Sequence, residues 1–187
     1  MFHNKQDDQG IVVRNKARLV AKGFSQIEGL NFGDTFTPVA RLEAICILLV
    51  YASHHEMKLY QMDIKSAFLN GFINELAYVD QPPGFEDPRY LNHVYRLSKA
   101  LYRLKQAPRA WYECLRDFFI ENGFTIRKVN TTLFTKKLDG EIFICQVYVD
   151  DIIFGSSNED SCKEFGKLML KEFEMSMIGE LIFFLGF

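Results

Sequence analysis

Apolar positions recur along this chain with two periods, and the changes of period divide it into elements. IVVRNKARLVAK (11–22) reads as a strand, and a helix is predicted within 41–55, after Thr37 and Pro38. LYQMDI (59–64) reads as a strand that ends in a short helical turn, SAFLNG. A hairpin-like region follows, AYVDQPPGF (77–85) and HVYRL (93–97), broken at Pro82, Pro83 and Gly84. The clearest helix is PRAWYECLRDFFIENG. Pro108 suits a first helical position, Trp111, Cys114, Leu115, Phe118 and Phe119 follow an i, i+3, i+4, i+7, i+8 stripe, and Gly123 ends it. TLFTKKL (132–138), EIFICQVYV (141–149) and IIFGS (152–156) then read as strands. A helix over about 158–173 carries Phe165, Leu168, Met169 and Phe173 on one side, and LIFFLGF (181–187) reads as a last strand.

Set apart from the first strand and the inserted hairpin, the order is strand 59–64, helix 108–122, hairpin 141–156, helix 158–173, strand 181–187. This is the split βαββαβ order of ferredoxin-like α+β domains. In that topology the strand carrying Asp63 near its end lies beside the hairpin, whose apex carries Asp150 and Asp151.

The sequence CQVYVDDIIFGS (145–156) places those two acids inside an apolar, β-forming run. A buried carboxylate is costly unless it is hydrogen-bonded, paired or bound to a metal. Two readings stay open on these residues alone. Asp is a common turn residue, so the pair could simply make the hairpin turn. Alternatively, three carboxylates from two distant segments converge, a donor set that suits two-metal phosphoryl or nucleotidyl transfer, in which hard Mg²⁺ ions keep waters and substrate phosphates as further ligands.

The 187 residues, 48% hydrophobic, suffice for one substantial core and a small subdomain. No stretch approaches the roughly 20 apolar residues of a membrane span, and MFHNKQDDQG does not read as a signal peptide. Cys46, Cys114, Cys145 and Cys162 form no CxxC pair and read as reduced core thiols of an intracellular protein. A net charge of −2 argues against a general nucleic-acid binder taken as a whole, but the average hides an asymmetry. Residues 89–116 hold Arg89, Arg96, Lys99, Arg103, Lys105, Arg109 and Arg116 against Glu113, while residues 136–187 hold five lysines against ten acids. Such a run is either a solvated face or a surface that attracts phosphates, with cations held elsewhere.

QMDIKSAFLNG, QPPGF, ALYRLKQAPRAWY and YVDD occur in this order. Together they closely resemble the reverse transcriptase of copia-type retrotransposons, and the resemblance runs from NKARLVAKGFSQ (15–26) to the end of the chain. It implies an RNA-directed DNA polymerase: a palm over 59–187, with a fingers-like insertion at about 72–107, following partial fingers over 1–58. It implies that Asp63, Asp150 and Asp151 bind two catalytic Mg²⁺ ions, with Mn²⁺ able to substitute, for attack of a primer 3′-hydroxyl on a deoxynucleoside triphosphate. Phe68 matches the aromatic gate against a 2′-hydroxyl, and its plain alternative is core packing. Lys105, Gln106 and Pro108 match the motif that shapes the nucleotide and template pocket, and Tyr148 is carried over with them. Lys16, Arg18 and Lys22 resemble residues that face the triphosphate.

The implied partners are an RNA or DNA template with its primer, dNTPs and the remaining Pol polyprotein segments, with no membrane. The implied setting is intracellular: cytoplasmic, in virus-like particles, or nuclear. Two departures stand out. Arg103 occupies the place of the usual glycine in ALYGLKQ, where the backbone is expected to pass close to nucleotide or template. The thumb, connection and RNase H regions are not in this stretch, so a fragment of a polyprotein is expected, with GELIFFLGF resembling the start of the primer-grip hairpin. Two rivals remain: a degenerate palm that at most binds nucleic acid, and another palm-fold enzyme such as a nucleotidyl cyclase, which should lack QAPRAW.

Overall fold

The computed structural model describes residues 2–7, 9–138 and 140–182. Its elements, in chain order, are β1 (Phe2–Gln6), β2 (Val12–Ala17), α1 (Leu42–His54), β3 (Lys58–Ile64), β4 (Tyr78–Val79), β5 (Tyr95–Arg96), α2 (Ala107–Glu121), β6 (Thr125–Arg127), β7 (Asn130–Leu138), β8 (Glu141–Tyr148), β9 (Asp151–Ser156), α3 (Glu159–Glu172) and β10 (Met175–Glu180). Short 3-10 turns lie at Gly23–Ser25 and Ala67–Asn70. The chain divides into two compact units, residues 1–36 with 68–111 and residues 37–67 with 112–187.

The second unit is built on a six-stranded antiparallel sheet of order β10-β3-β9-β8-β7-β6. Strands β3, β8, β9 and β10 with helices α2 and α3 follow the expected split βαββαβ order, and β6–β7 extend the sheet on one side. Strand alternation sorts the side chains between two faces. Tyr60, Met62, Phe134, Phe143, Cys145, Ile152 and Phe154 take one face, which is covered by aromatic contacts from α2 and α3. Phe119 meets Phe134 in a tilted pair at 4.7 Å and stacks on Phe165 at 6.0 Å, and Phe165 meets Phe143 and Phe154 at 5.0 and 4.9 Å. Full burial of each such ring contributes about 1.5–3 kcal/mol, so this cluster dominates the core.

The opposite face carries Leu59, Ile144 and Ile153, which pack with Ile45, Leu48 and Ala52 of α1. Helix α1 therefore belongs with the sheet, although the sequence had grouped residues 37–58 with the N-terminal part. Helix ends follow the expected chemistry. Asn158 caps α3 by accepting from the Asp160 and Ser161 amides, and Gly123 takes a left-handed φ of 82° just past α2.

The first unit holds the β1–β2 hairpin and the two-residue pairing of β4 with β5. Its apolar cluster gathers Ala21, Ile73, Ala77, Ala100, Leu104, Ala107 and Ala110.

Three sequence expectations change. The last described strand is β10, at Met175–Glu180. Of the expected strand 181–187, Leu181 and Ile182 lie outside any strand, and residues 183–187, with most of the proposed primer-grip tail, lie outside the described residues. MSMIGE hid β10 because its three apolar residues, broken by Ser176 and Gly179, lie mostly exposed on an edge strand and give no sustained alternation. Strands β1 and β6 also went unread, being short and polar. Finally, only Cys145 and Cys162 are buried; Cys114 is half-buried and Cys46 is exposed on α1. Among the described residues no helix is long and apolar enough to cross a membrane.

Candidate active site

Register places the acids. In β3, Asp63 lies on the same face as Leu59 and Gln61, and it pairs across the sheet with Asp151 of β9. Asp151 in turn pairs with Tyr148 of β8, and Asp63 with Ser176 of β10. One cross-strand row on the α1 side of the sheet thus reads Tyr148, Asp151, Asp63, Ser176. Directly opposed residues in an antiparallel pair have Cβ atoms about 4.5–5.5 Å apart, and like charges so placed destabilise the sheet. Asp150 stands in the turn before β9, and its carbonyl accepts the Ile64 amide at 2.9 Å, which ties the turn to the end of β3.

Electrostatics agree with the register. Burial pushes the Asp151 carboxyl above its ordinary range, and the charges of Asp150 and Asp63 push it the same way. Gln61 opposes this by donating from Nε2 to Asp151 Oδ1 at 3.0 Å. All three acids are half-buried. They feel one another's charge, yet among the described residues no group of three acid, histidine or cysteine side chains is drawn in tightly enough to hold a metal ion as arranged. The donor set is nonetheless of the hard, oxygen-only kind that suits Mg²⁺. Burial is the main cause of the rise at Asp151, and the smaller share that comes from Asp150 and Asp63 is what a divalent cation would relieve.

Backbone strain collects at this end of the sheet. Val149, the first residue of the turn between β8 and β9, has φ 58°, and Ser66, three residues after Asp63, has φ 53°. A left-handed β-branched residue is a genuine outlier, and such strain persists only where the surrounding structure over-determines it.

The remaining site residues of the sequence reading lie in the first unit. Phe68 packs its ring on Tyr102 at 5.3 Å and partly joins the apolar cluster, and the Arg18 guanidinium lies over the same Tyr102 ring at 5.1 Å. Tyr102 thus gathers Phe68 and Arg18. Gln106 is buried, at 2% exposure, and Pro108 stands in the first turn of α2. Lys105 and Lys22 are exposed, and Lys16 is half-buried in β2.

Arg103 is exposed, so its side chain does not fill the interior; the constraint falls on its backbone, which has φ 71°. Its carbonyl faces Gly23 so closely that a Cβ added there would stand 1.6 Å from the Arg103 oxygen. A glycine is favoured at 103 for its left-handed conformation. Sequence reasoning missed Gln61 and Tyr102. Gln61 was findable, since it precedes Asp63 by two residues and must share its face.

The charge asymmetry also follows the division. The first unit carries eleven Lys and Arg against eight Asp and Glu, and the second carries eleven against sixteen.

Comparison with known proteins matches this sequence to a family. The family model described as reverse transcriptase (RNA-dependent DNA polymerase) matches residues 1–187. The chain is 39% identical over 186 residues to the retrovirus-related Pol polyprotein from transposon RE1 of Arabidopsis thaliana, covering 100% of this chain and 13% of that protein. It is 38% identical to the corresponding polyprotein from transposon RE2 of the same plant, with the same coverage. Against the one from transposon TNT 1-94 of Nicotiana tabacum it is 33% identical over 180 residues, 96% of this chain and 14% of that protein. It therefore spans about an eighth of the length of the curated relatives it matches. No solved structure matches. The chain belongs to the reverse transcriptase family, in the form carried by the Pol polyproteins of copia-type transposons.

Proposed function

We propose that this chain is the fingers and palm part of an RNA-directed DNA polymerase, adding deoxynucleotides to a primer 3′-hydroxyl under the direction of an RNA or DNA template. The observation that carries the reading is the pairing of Asp63 with Asp151 beside Asp150, because two carboxylates opposed across a sheet repel and the Gln61 hydrogen bond to Asp151 offsets this only in part. Asp63, Asp150 and Asp151 would hold two Mg²⁺ ions, or Mn²⁺, which when bound lower the pKa of the attacking hydroxyl and neutralise charge on the leaving pyrophosphate. Gln61 holds the Asp151 carboxylate in orientation. Phe68, supported by Tyr102, would disfavour a 2′-hydroxyl. Lys16, Arg18, Lys22 and Lys105 would meet phosphates, Gln106 and Pro108 would shape the nucleotide and template pocket, and Tyr148 would stand beside the acids. The reaction would take place inside the cell, with further Pol segments supplying the rest of the grip on the primer-template.

The test is incorporation of a single deoxynucleotide by the purified chain on an RNA-templated primer with Mn²⁺ or Mg²⁺. Incorporation that follows the template base, and is lost in Asp150→Asn, supports the reading. Incorporation that ignores the template base, or that survives Asp150→Asn, overturns it.

A further inference from the structure

The turn at Gly23–Ser25 packs backbone to backbone against the segment before α2. Ala21 donates its amide to the Tyr102 carbonyl at 2.9 Å, and Gly23 has no room for a side chain beside Arg103. This seats Gln26, half-buried, over Lys105 and Gln106, which lie 79 and 80 residues further along the chain. The Lys105 backbone amide donates to Gln26 Oε1 at 2.8 Å, Gln26 Nε2 donates to Gln106 Oε1 at 3.0 Å, and Gln106 Nε2 reaches the Asn31 carbonyl at 3.5 Å.

The polarity of this relay has one source. A backbone N–H can only donate, so the atom of Gln26 that meets it must be the oxygen. Its nitrogen is then the donor toward Gln106, whose oxygen must accept, and whose nitrogen is left to face a carbonyl that can only accept. Gln106 is buried at 2% exposure, so a reversed amide would leave polar atoms badly paired away from water, a cost of about 1–3 kcal/mol each. Lys105, held through its backbone, is exposed and carries a cation to the surface.

We infer that Gln26 is a positioning residue, which sets the amide of Gln106 and the backbone of Lys105 and thereby the affinity of this segment for the triphosphate of an incoming nucleotide. The inference rests on the polymerase reading for its ligand, whereas the relay itself rests on the hydrogen bonds alone.

Two variants of the full chain test it. Gln26→Met removes both bonds. Gln26→Glu keeps an acceptor for the Lys105 amide but offers Gln106 a second acceptor in place of a donor, so the Gln106 amide must turn its oxygen toward the Asn31 carbonyl. Binding of Mg²⁺-dNTP to the chain with primer-template is measured by calorimetry, at a temperature where circular dichroism shows every variant folded. The expected result is a dNTP affinity at least tenfold lower in Gln26→Glu than in the parent. The deficit should narrow as the pH is lowered toward the ordinary glutamate range of about 4.3, because a protonated carboxyl regains the donor that an amide has. A merely structural brace would lower the melting temperature and leave both readouts unmoved. Equal dNTP affinity in parent and variants overturns the inference, whatever the primer does. Affinity lost in the variants, where the parent binds dNTP but extends no primer, would instead count against the polymerase reading and leave the positioning role standing.

Discussion

Asp63 and Asp151 face each other across adjacent antiparallel strands, two carboxylates where a sheet would ordinarily place apolar or oppositely charged partners. The carboxyl of Asp151 is raised by burial first and by Asp150 and Asp63 after it. A carboxyl whose folded pKa lies above its unfolded value binds more protons in the folded state. Stability therefore falls as pH rises from the unfolded value through the folded one, and the penalty is fully present above both. Replacing Asp63 with Asn removes one of the two charges, and no hydrogen bond to Asp151 is lost with it, since that bond comes from Gln61. The metal-free variant should be more stable near neutral pH by about 0.2–1 kcal/mol, and the gain should vanish as pH falls below the raised pKa. Urea melts of both proteins across pH would show it. A gain that grows toward acid pH would contradict the assignment.

Arg103 pays a backbone cost that glycine would not. A left-handed L-residue costs roughly 1–2 kcal/mol, against a gain for glycine offset by about 0.5–1 kcal/mol of unfolded-state entropy. Comparing Arg103→Gly with Arg103→Ala separates the backbone from the side chain, whose contacts both variants lose. The glycine variant should be the more stable by roughly 0–1.5 kcal/mol, measured by thermal denaturation. A glycine variant less stable than the alanine one would show that φ at this position is not the constraint.

Gly23 has the opposite problem, one of space. An added Cβ would meet the Arg103 carbonyl oxygen at 1.6 Å and its carbon at 2.6 Å, both of them backbone atoms that cannot swing aside. Gly23→Ala should cost at least about 3 kcal/mol or prevent the first unit from folding. At Gly33 nothing lies within 4 Å, so Gly33→Ala serves as the control and should shift stability by no more than about 0.5 kcal/mol. Equal effects at the two positions would contradict the packing of the GFS turn on Arg103.

The four thiols offer a probe of the sheet. Burial pushes Cys162 up to about 11 and holds Cys145 well above the ordinary thiol range, whereas Cys46 is exposed on α1. Because the thiolate is the reactive form, a native chain treated with a thiol reagent at mildly alkaline pH should show a fast phase that replacing both Cys46 and the half-buried Cys114 by Ser abolishes. Cys145 and Cys162 should react only as fast as the chain opens. A fast phase that survives both replacements would mean that a buried strand or α3 is open in the native state.

Much of the second unit was legible because its elements are long and strongly periodic. The stripe from Trp111 to Phe119 has one buried face, and β8 and β9, buried on both faces, read as continuous apolar runs of strand length. The convergence of Asp63 with the hairpin followed from the βαββαβ order, since register then decides which residues are opposed. What stayed hidden was set by contacts distant in sequence. Strand β10 is a short edge strand whose mixed residues carry no sustained alternation. The burial of Gln106 depends on Gln26 and Asn31, some 75–80 residues away. The left-handed backbone of Arg103 reflects the approach of Gly23. The motif residues singled out this segment, but the hydrogen-bonded relay that holds it has no signature in local sequence.

Mn²⁺ titration of the purified chain, followed by electron paramagnetic resonance of the free ion, tests most directly the proposed divalent-metal site of Asp63, Asp150 and Asp151. The parent should bind Mn²⁺. Asp150→Asn should bind it at least tenfold more weakly, a loss of about 1.4 kcal/mol, while its circular dichroism stays that of the parent. Mn²⁺ affinity unchanged by Asp150→Asn would contradict that site, because the ions would then be held elsewhere.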